Sequence, residues 1–365
     1  MMEDGSVNLQ FAKRLPKIEL HAHLSGSISR KCLHDVWLQK KSIDPDFDLE
    51  DPLLAIPPGK VDYNLTTFFP LFSSYIYKLC NDVSSIEYTT AAVLADFQSD
   101  NVVYLELRTT PRAIPDAGIT KSTYIRTILS CIAQHNANPT NTLHANLILS
   151  IDRRHTPAEA HEIVDLALAY RPHGVVGIDL CGDPSVGDVS ALTPAFRRAN
   201  REGLKITVHF AEAPASATEE ELWTLLGWQP DRLGHVIHVD RDSAIAREIV
   251  RRKLGLELCL SCNVRANMLV GGGGYPEHHF GWWRDLGVPI ALGTDDVGVF
   301  CSELSEEYRV AAEHFGLGHD DVRKLCESAV DMIFGSDAER ARLSTLYTSL
   351  EVEMRRGPSG TCQRC

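Results

Sequence analysis

The sequence predicts a (β/α)8 barrel, and three observations carry that expectation. Eight short, nearly all-apolar runs alternate with stretches of helical periodicity, and such runs suit parallel strands buried on both faces. They occupy roughly 280 residues, the length of eight β/α units. His21, His23, His209, His235 and Asp295 fall on or just after the ends of those runs, where barrels of this kind carry their chemistry. A doubly wound open sheet competes, but no Gly-x-Gly-x-x-Gly follows the first strand.

Taken in order, Lys17-Ile18-Glu19-Leu20-His21-Ala22-His23-Leu24 reads as the first strand. Alternate residues of a strand face one way, so His21 and His23 present two imidazoles to one side, a pairing that suits a zinc-sized ion. A hydrogen-bonded histidine pair is the competing reading. Residues 29–41 read as helix, 43–60 as an Asp- and Pro-rich connection, and 65–79 and 84–98 as helices by apolar spacing. A second strand covers 102–107 and ends at Arg108-Thr109-Thr110-Pro111-Arg112.

The alternation then repeats: helix 123–135, strand 145–151 ending at Asp152, and helix 157–170 with proline at its start. Strand 175–180 runs into Cys181-Gly182-Asp183-Pro184, followed by helix 193–202 and strand 204–208 ending at His209. Helix 219–226, strand 233–239 around His235, helix 243–252 and strand 256–260 come next, and Gly271–Gly274 reads as a loop. Helix 279–286 precedes a last strand, 288–292, ending at Thr294-Asp295-Asp296. Three helices, 304–315, 320–334 and 339–354, close the chain. One domain is expected over 1–365: a barrel over about 15–300, extra helices after the first strand and over 301–355, and a disordered tail over 356–365.

Charge and cysteine usage narrow the function. Acidic residues outnumber basic ones, 49 to 36, for a net charge of -13, which opposes nucleic-acid binding. A small anionic substrate then needs local positive groups. No run approaches the ~18 apolar residues of a membrane span, and residues 1–17 lack the apolar core of a signal peptide, so a cytoplasmic location is expected. Ten cysteines in a chain of this length favour free thiols. The pairs Cys259/Cys262 and Cys362/Cys365 lie too far apart for a zinc ribbon, and the first sits in an apolar, strand-like run where cysteine acts as a small hydrophobe.

Barrel closure would gather His21, His23, His209 and Asp295/Asp296 from strands one, five and eight around one mouth, a nitrogen- and oxygen-rich site for a divalent ion, zinc first. His209-Phe210-Ala211-Glu212 adds a carboxylate able to shuttle protons beside a metal-bound water. His235 is read either as a ligand or as a base that orients that water, and the second role is preferred.

Glu19-Leu20-His21-Ala22-His23-Leu24, His209-Phe210-Ala211-Glu212, Leu233-Gly234-His235 and Gly293-Thr294-Asp295-Asp296, in this order, resemble the adenosine/AMP deaminase family of metal-dependent amidohydrolase barrels. The resemblance runs over about residues 15–334. It implies one zinc on His21, His23, His209 and Asp295, with Glu212 delivering a proton to purine N1 and His235 acting on the attacking water. It further implies Asp296 at N7 and the Gly182 backbone against the purine. The unrelated cytidine-deaminase site needs Pro-Cys-x-x-Cys, and Leu258 precedes Cys259 here.

Adenosine deaminases similar to this chain carry an aspartate two residues after the second histidine, where this chain has Ser25. A carboxylate there would repel a 5′-phosphate, whereas a hydroxyl can donate to it, and Arg112 offers a guanidinium fork nearby. These features, with Gly177–Pro184 and His278-His279-Phe280-Gly281, resemble the family's adenosine deaminase-like branch, which is associated with N6-methyl-AMP. By that resemblance His23, Ser25, Tyr77, Thr109, Thr110, Pro111, Arg112, Asp152, Gly182 and Asp296 line a nucleotide pocket. The branch commonly has asparagine at Ser25 and histidine near Tyr77. The expected activity is hydrolysis of N6-methyl-AMP to IMP and methylamine, by a monomer with no nucleic-acid or membrane partner. The alternatives are an adenosine deaminase acting on the free nucleoside and a non-catalytic purine nucleoside-binding protein.

Overall fold

Eight strands pair in sequence order, each parallel to the next: Lys17–His23 (β1), Val102–Thr109 (β2), His144–Asp152 (β3), Val175–Cys181 (β4), Lys205–Phe210 (β5), Arg232–His235 (β6), Gly255–Leu258 (β7) and Ile290–Leu292 (β8). The computed structural model describes residues 6–356. Strands β8 and β1 meet through Asp295, whose N–H donates to the His21 carbonyl at 2.8 Å while its own carbonyl accepts from His23 N–H at 2.9 Å. The result is a nearly closed barrel flanked by helices, the expected (β/α)8 architecture.

The helices start where side-chain oxygens can take their unpaired N–H groups. Val83–Ser99 is capped by Asp82, Lys121–Ala137 by Thr120, and Pro157–Tyr170 by Thr156 with Glu159 reaching back. Their apolar stripes, such as Ile163, Val164 and Ala167, face the sheet. The core continues as one cluster through both faces of the strands.

Inside the barrel the strands are less apolar than the sequence suggests. Glu106 and Arg108 on β2, Asp179 on β4, Arg232 on β6 and Glu257 on β7 are all buried and meet as one ionic layer. Arg108 bridges Asp179 (3.2 Å) and Glu257 (2.7 Å), and Arg232 bridges Glu257 and Glu106, both at 2.6 Å. A charge so deep persists only when it is paired and hydrogen-bonded.

Several element ends differ from expectation. The strand expected over 233–239 stops at His235, because His235 and Val236 take φ of 65° and 55° and turn the chain out of the sheet. The strand expected over 256–260 stops at Leu258, and Leu260–Arg265 is helix, so Cys262 is helical, not strand-like. The stretch 288–292 contributes only Ile290–Leu292 to the sheet. Over 65–79 the helix changes pitch, passing from Leu65–Leu71 to a π-helical Phe72–Ile76, just after Pro70. Proline lacks the N–H that regular α winding needs. A helix at Leu9–Arg14, capped by Asn8 and burying Phe11 and Ala12, was not expected. The expected tail beyond residue 356 and the Cys362/Cys365 pair lie outside the described residues. No helix among the described residues is long and apolar enough to cross a membrane.

Candidate active site

Strand ends bring the imidazoles together. His21 and His23, alternate residues of β1, have ring centroids 5.6 Å apart, and His209 at the end of β5 lies 4.7 Å from His21 and 5.1 Å from His23. Asp295, held at φ 60° by its bridge to β1, points its Oδ1 at His21 Nε2 (3.4 Å) and His23 Nε2 (3.3 Å). His23 Nε2 is 3.1 Å from His209 Nε2. The last ring, His235, has Nε2 3.9 Å from Asp295 Oδ2 and 3.8 Å from Glu212 Oε1.

These separations fit a shared cation. Atoms about 2.0–2.2 Å from one ion stand a little over 3 Å from each other. Ligand atoms of His21, His209, His235 and Asp295 all lie within 4.8 Å of one another, and His23 joins them through the contacts above. Buried His21 Nε2, His235 Nε2 and Glu212 Oε2 have no hydrogen-bond partner in the protein. Buried polar atoms are nearly always paired, so three orphans around one point mark a place for something not made of protein. The outer nitrogens are tied down: His21 Nδ1 donates to Glu257 Oε2 (2.7 Å) and His209 Nδ1 to the Leu180 carbonyl (2.7 Å). Both ties fix the ring so that Nε2 is the atom facing inward, the one through which such a histidine would ligate a metal.

Electrostatics differ sharply around the cluster. Burial pushes the Glu212 carboxyl up to about 7. Asp295 is also pushed up by burial, yet the close contact with His21 and the other imidazole rings facing it hold it well below the usual carboxylate range. Asp296 is raised well above that range by burial and then by Asp295 beside it, so it keeps its proton. Burial takes His23 down to about 3. For His209 burial also lowers, but the Asp179 carboxylate outweighs it and brings the ring to about 9.

Above the cluster opens a cleft of about 850 Å³, lined by His23, Ser25, Tyr77, Thr109, Thr110, Arg112, Asp152, Gly182, His209, Glu212, Asp295 and Asp296. Phe68, Phe69 and Phe72 make one wall. Two glycines permit this arrangement. Gly182 sits at φ 101°, and a Cβ there would lie 2.7 Å from the Asp152 carboxylate. At Gly26 a Cβ would stand 1.4 Å from Asp296 Oδ1, so only glycine lets that carboxyl into the site.

The adenosine deaminase family profile matches residues 16–348. The chain belongs to the adenosine deaminase family. The N6-methyl-AMP deaminase of Danio rerio is 35% identical over 94% of this chain and 97% of its own. That of Homo sapiens is 35% identical over 96% and 97%. A crystal structure described as Arabidopsis ADAL complexed with IMP superposes with a TM-score of 0.85 at 33% identity, covering 94% of this chain and 99% of that one. The family is metal-dependent, and the buried His21/His209/His235/Asp295 cluster could hold the ion.

Set against this adenosine deaminase frame, every catalytic, metal-ligating and substrate residue expected from the sequence lies at or beneath the cleft. His21 and His235 are buried beneath it against His209 and Asp295, and Pro111 lines an adjoining recess with Tyr77, Thr110, Arg112, Asp152 and Arg154. Arg112 is not a solvated loop charge. It donates to the Cys80 carbonyl (3.0 Å) and stacks 4.1 Å over the Tyr77 ring. The Thr109 hydroxyl is engaged with Tyr124 at 2.8 Å.

Sequence reasoning missed Arg154, a second guanidinium at the rim that grips Asp152 at 2.8 and 2.6 Å. Its signal was two arginines directly after a strand-end aspartate. The phenylalanine wall was also missed, although Phe68 and Phe72 stand four apart on a helix. Cys262, taken for a small hydrophobe, brings its Sγ to 2.9 Å from Asp295 Oδ2 as a thiol donor.

Proposed function

We propose that this protein is a zinc-dependent hydrolase of 6-amino purine nucleotides that converts N6-methyl-AMP to IMP and methylamine. The single observation that carries this is the convergence of His21, His23, His209 and Asp295 beside a protonatable Glu212, at the floor of a purine-sized cleft. Zinc suits three imidazole nitrogens and one carboxylate, and when bound it acidifies water so that hydroxide is available near neutral pH.

The chain's own groups do the rest. Glu212, with its carboxyl near 7 and Oε2 unpartnered, holds a proton for purine N1. His235 faces the gap between Glu212 and Asp295 and orients the attacking water. The water oxygen bonds to C6 as N1 takes the Glu212 proton. One water proton then leaves on the amine and the other restores Glu212 as the C6–N6 bond breaks. Asp296, protonated, donates to N7, and the Gly182 backbone meets the ring. The phenylalanine wall excludes bulk water from the purine.

At the sugar end, Ser25, Thr110, Arg112 and Arg154 supply hydroxyls and two guanidinia for a 5′-phosphate, and no carboxylate stands at position 25 to repel it. The N6-methyl-AMP deaminases named above and the IMP-bound structure support the same occupant. A monomeric, cytoplasmic enzyme completes the reading. The test is turnover of N6-methyl-AMP, AMP and adenosine by metal-replete protein, with the released amine identified. N6-methyl-AMP is expected to be preferred by at least tenfold in kcat/KM, and preference for adenosine would overturn the nucleotide assignment.

A further inference from the structure

The stretch His278-His279-Phe280-Gly281 lies outside the cleft and takes no part in the chemistry above, yet both histidines are buried and both reach back to His235. His279 Nε2 donates to the His235 carbonyl at 2.6 Å, bracing a residue at positive φ. His278 acts on the His235 ring through Asn263. The Phe280 N–H donates to His278 Nδ1 (3.1 Å), His278 Nε2 meets Asn263 Oδ1 (3.2 Å), and Asn263 Nδ2 meets His235 Nδ1 (3.0 Å).

One member of this chain has a fixed direction. A backbone N–H can only donate, so His278 Nδ1 must accept, and burial keeps the His278 ring neutral. A neutral imidazole with Nδ1 accepting carries its one hydrogen on Nε2. That hydrogen makes the facing Asn263 atom its oxygen, which turns the amide NH2 towards His235. His235 Nδ1 must then accept, and its hydrogen sits on Nε2. We infer that the relay from Phe280 through His278 and Asn263 sets His235 in the Nε2–H tautomer, so that it offers the site a proton and not a lone pair.

The contrast with the other rings is the point. His21 and His209 donate from Nδ1 and keep Nε2 for a cation, whereas His235 accepts at Nδ1 and turns a hydrogen inward. His235 therefore does not ligate a cation and does not take the water's proton. It donates to the oxygen that attacks C6 and leaves proton removal to Glu212, 3.8 Å away. Asn263 and His278 are positioning residues. This assignment deepens the proposed deaminase chemistry and rests on it only for its catalytic meaning.

The experiment reads the tautomer directly. In metal-free chain with 15N-labelled histidine, assigned by the loss of signals in His235→Gln, His235 Nε2 is expected at a protonated, pyrrole-type shift and Nδ1 at a pyridine-type shift. His278→Gln keeps a donor at the same reach and must preserve that pattern. His278→Glu offers an acceptor in the same shape and must move the hydrogen to Nδ1. With metal restored, His278→Glu lowers kcat at least tenfold with KM within threefold of wild type, while His278→Gln stays within threefold on both. A pyridine-type Nε2 in wild type, or a His278→Glu spectrum identical to wild type, overturns the inference. Should His278→Glu fail to fold, Asn263→Leu must give averaged His235 shifts, and a wild-type pattern there overturns it equally. The spectra are taken without substrate, so a failed substrate assignment leaves them standing.

Discussion

Two polar layers share the inside of this barrel, and they are built on opposite rules. In the lower one all six carboxylate oxygens of Glu106, Asp179 and Glu257 accept a hydrogen bond, from Tyr104, Arg232, Arg108, Thr207, Ser150 and two histidines among others. In the upper one His21 Nε2, His235 Nε2 and Glu212 Oε2 make no hydrogen bond within the protein. Satisfied charge holds strands in register, whereas unsatisfied charge waits for a ligand. His21 belongs to both layers, with Nδ1 on Glu257 and Nε2 in the cluster.

That division can be broken from either side. The largest effect is expected from stripping the ion: a chelator should abolish turnover and zinc should restore it, while Arg232→Met, in the satisfied layer, leaves the metal content at wild-type level by elemental analysis. Glu212→Gln comes next, with kcat reduced by about 10³ while bound metal is retained, since only the transferable proton is removed. Equal loss of metal in that variant would make Glu212 a ligand.

In the lower layer, Glu257→Gln leaves Arg108 and Arg232 facing a neutral amide, and removing one partner of a buried pair costs about 3–5 kcal/mol. Urea unfolding measures it, and a change under about 1 kcal/mol would show the layer to be dispensable. Smaller is a pH effect in the metal-free chain. Burial raises Glu212 from 4.5 to about 7, so its share of stability is whole below about 4.5 and lost as pH climbs through 7. Metal-free Glu212→Gln should therefore gain about 3 kcal/mol on wild type between pH 4 and pH 8. Smallest is Arg112→Ala, expected to raise KM for the nucleotide about tenfold while leaving turnover of N6-methyladenosine unchanged.

The two layers also differ in how well the sequence reveals them. The eight strands were legible because Val102–Leu107, Ala145–Ile151 and their like are apolar on both faces. His21, His23, His209 and Asp295 were legible because they end such runs. The lower layer was not, since Asp179 inside an apolar stretch, or Arg108 just past the expected end of one, gives no hint that its counter-charge lies on another strand. Strand six was read too long because Val236, Ile237 and Val239 keep the segment largely apolar after the backbone has left the sheet. Cys262 was misread for a similar reason, since apolar residues continue from strand into helix at Leu260. Asn263 left no trace, and His278 stood out only as part of His278-His279-Phe280-Gly281 with no role attached, for their meaning depends on which atom faces which.

The peptide of Asp295 fastens the last strand to the first, and the same residue's carboxylate faces the imidazoles. Ring closure and assembly of the reaction centre are thus one event, joining segments nearly three hundred positions apart. A nascent or refolding chain short of that final seam has no competent centre, so the return of catalysis during renaturation times the completion of the cylinder itself.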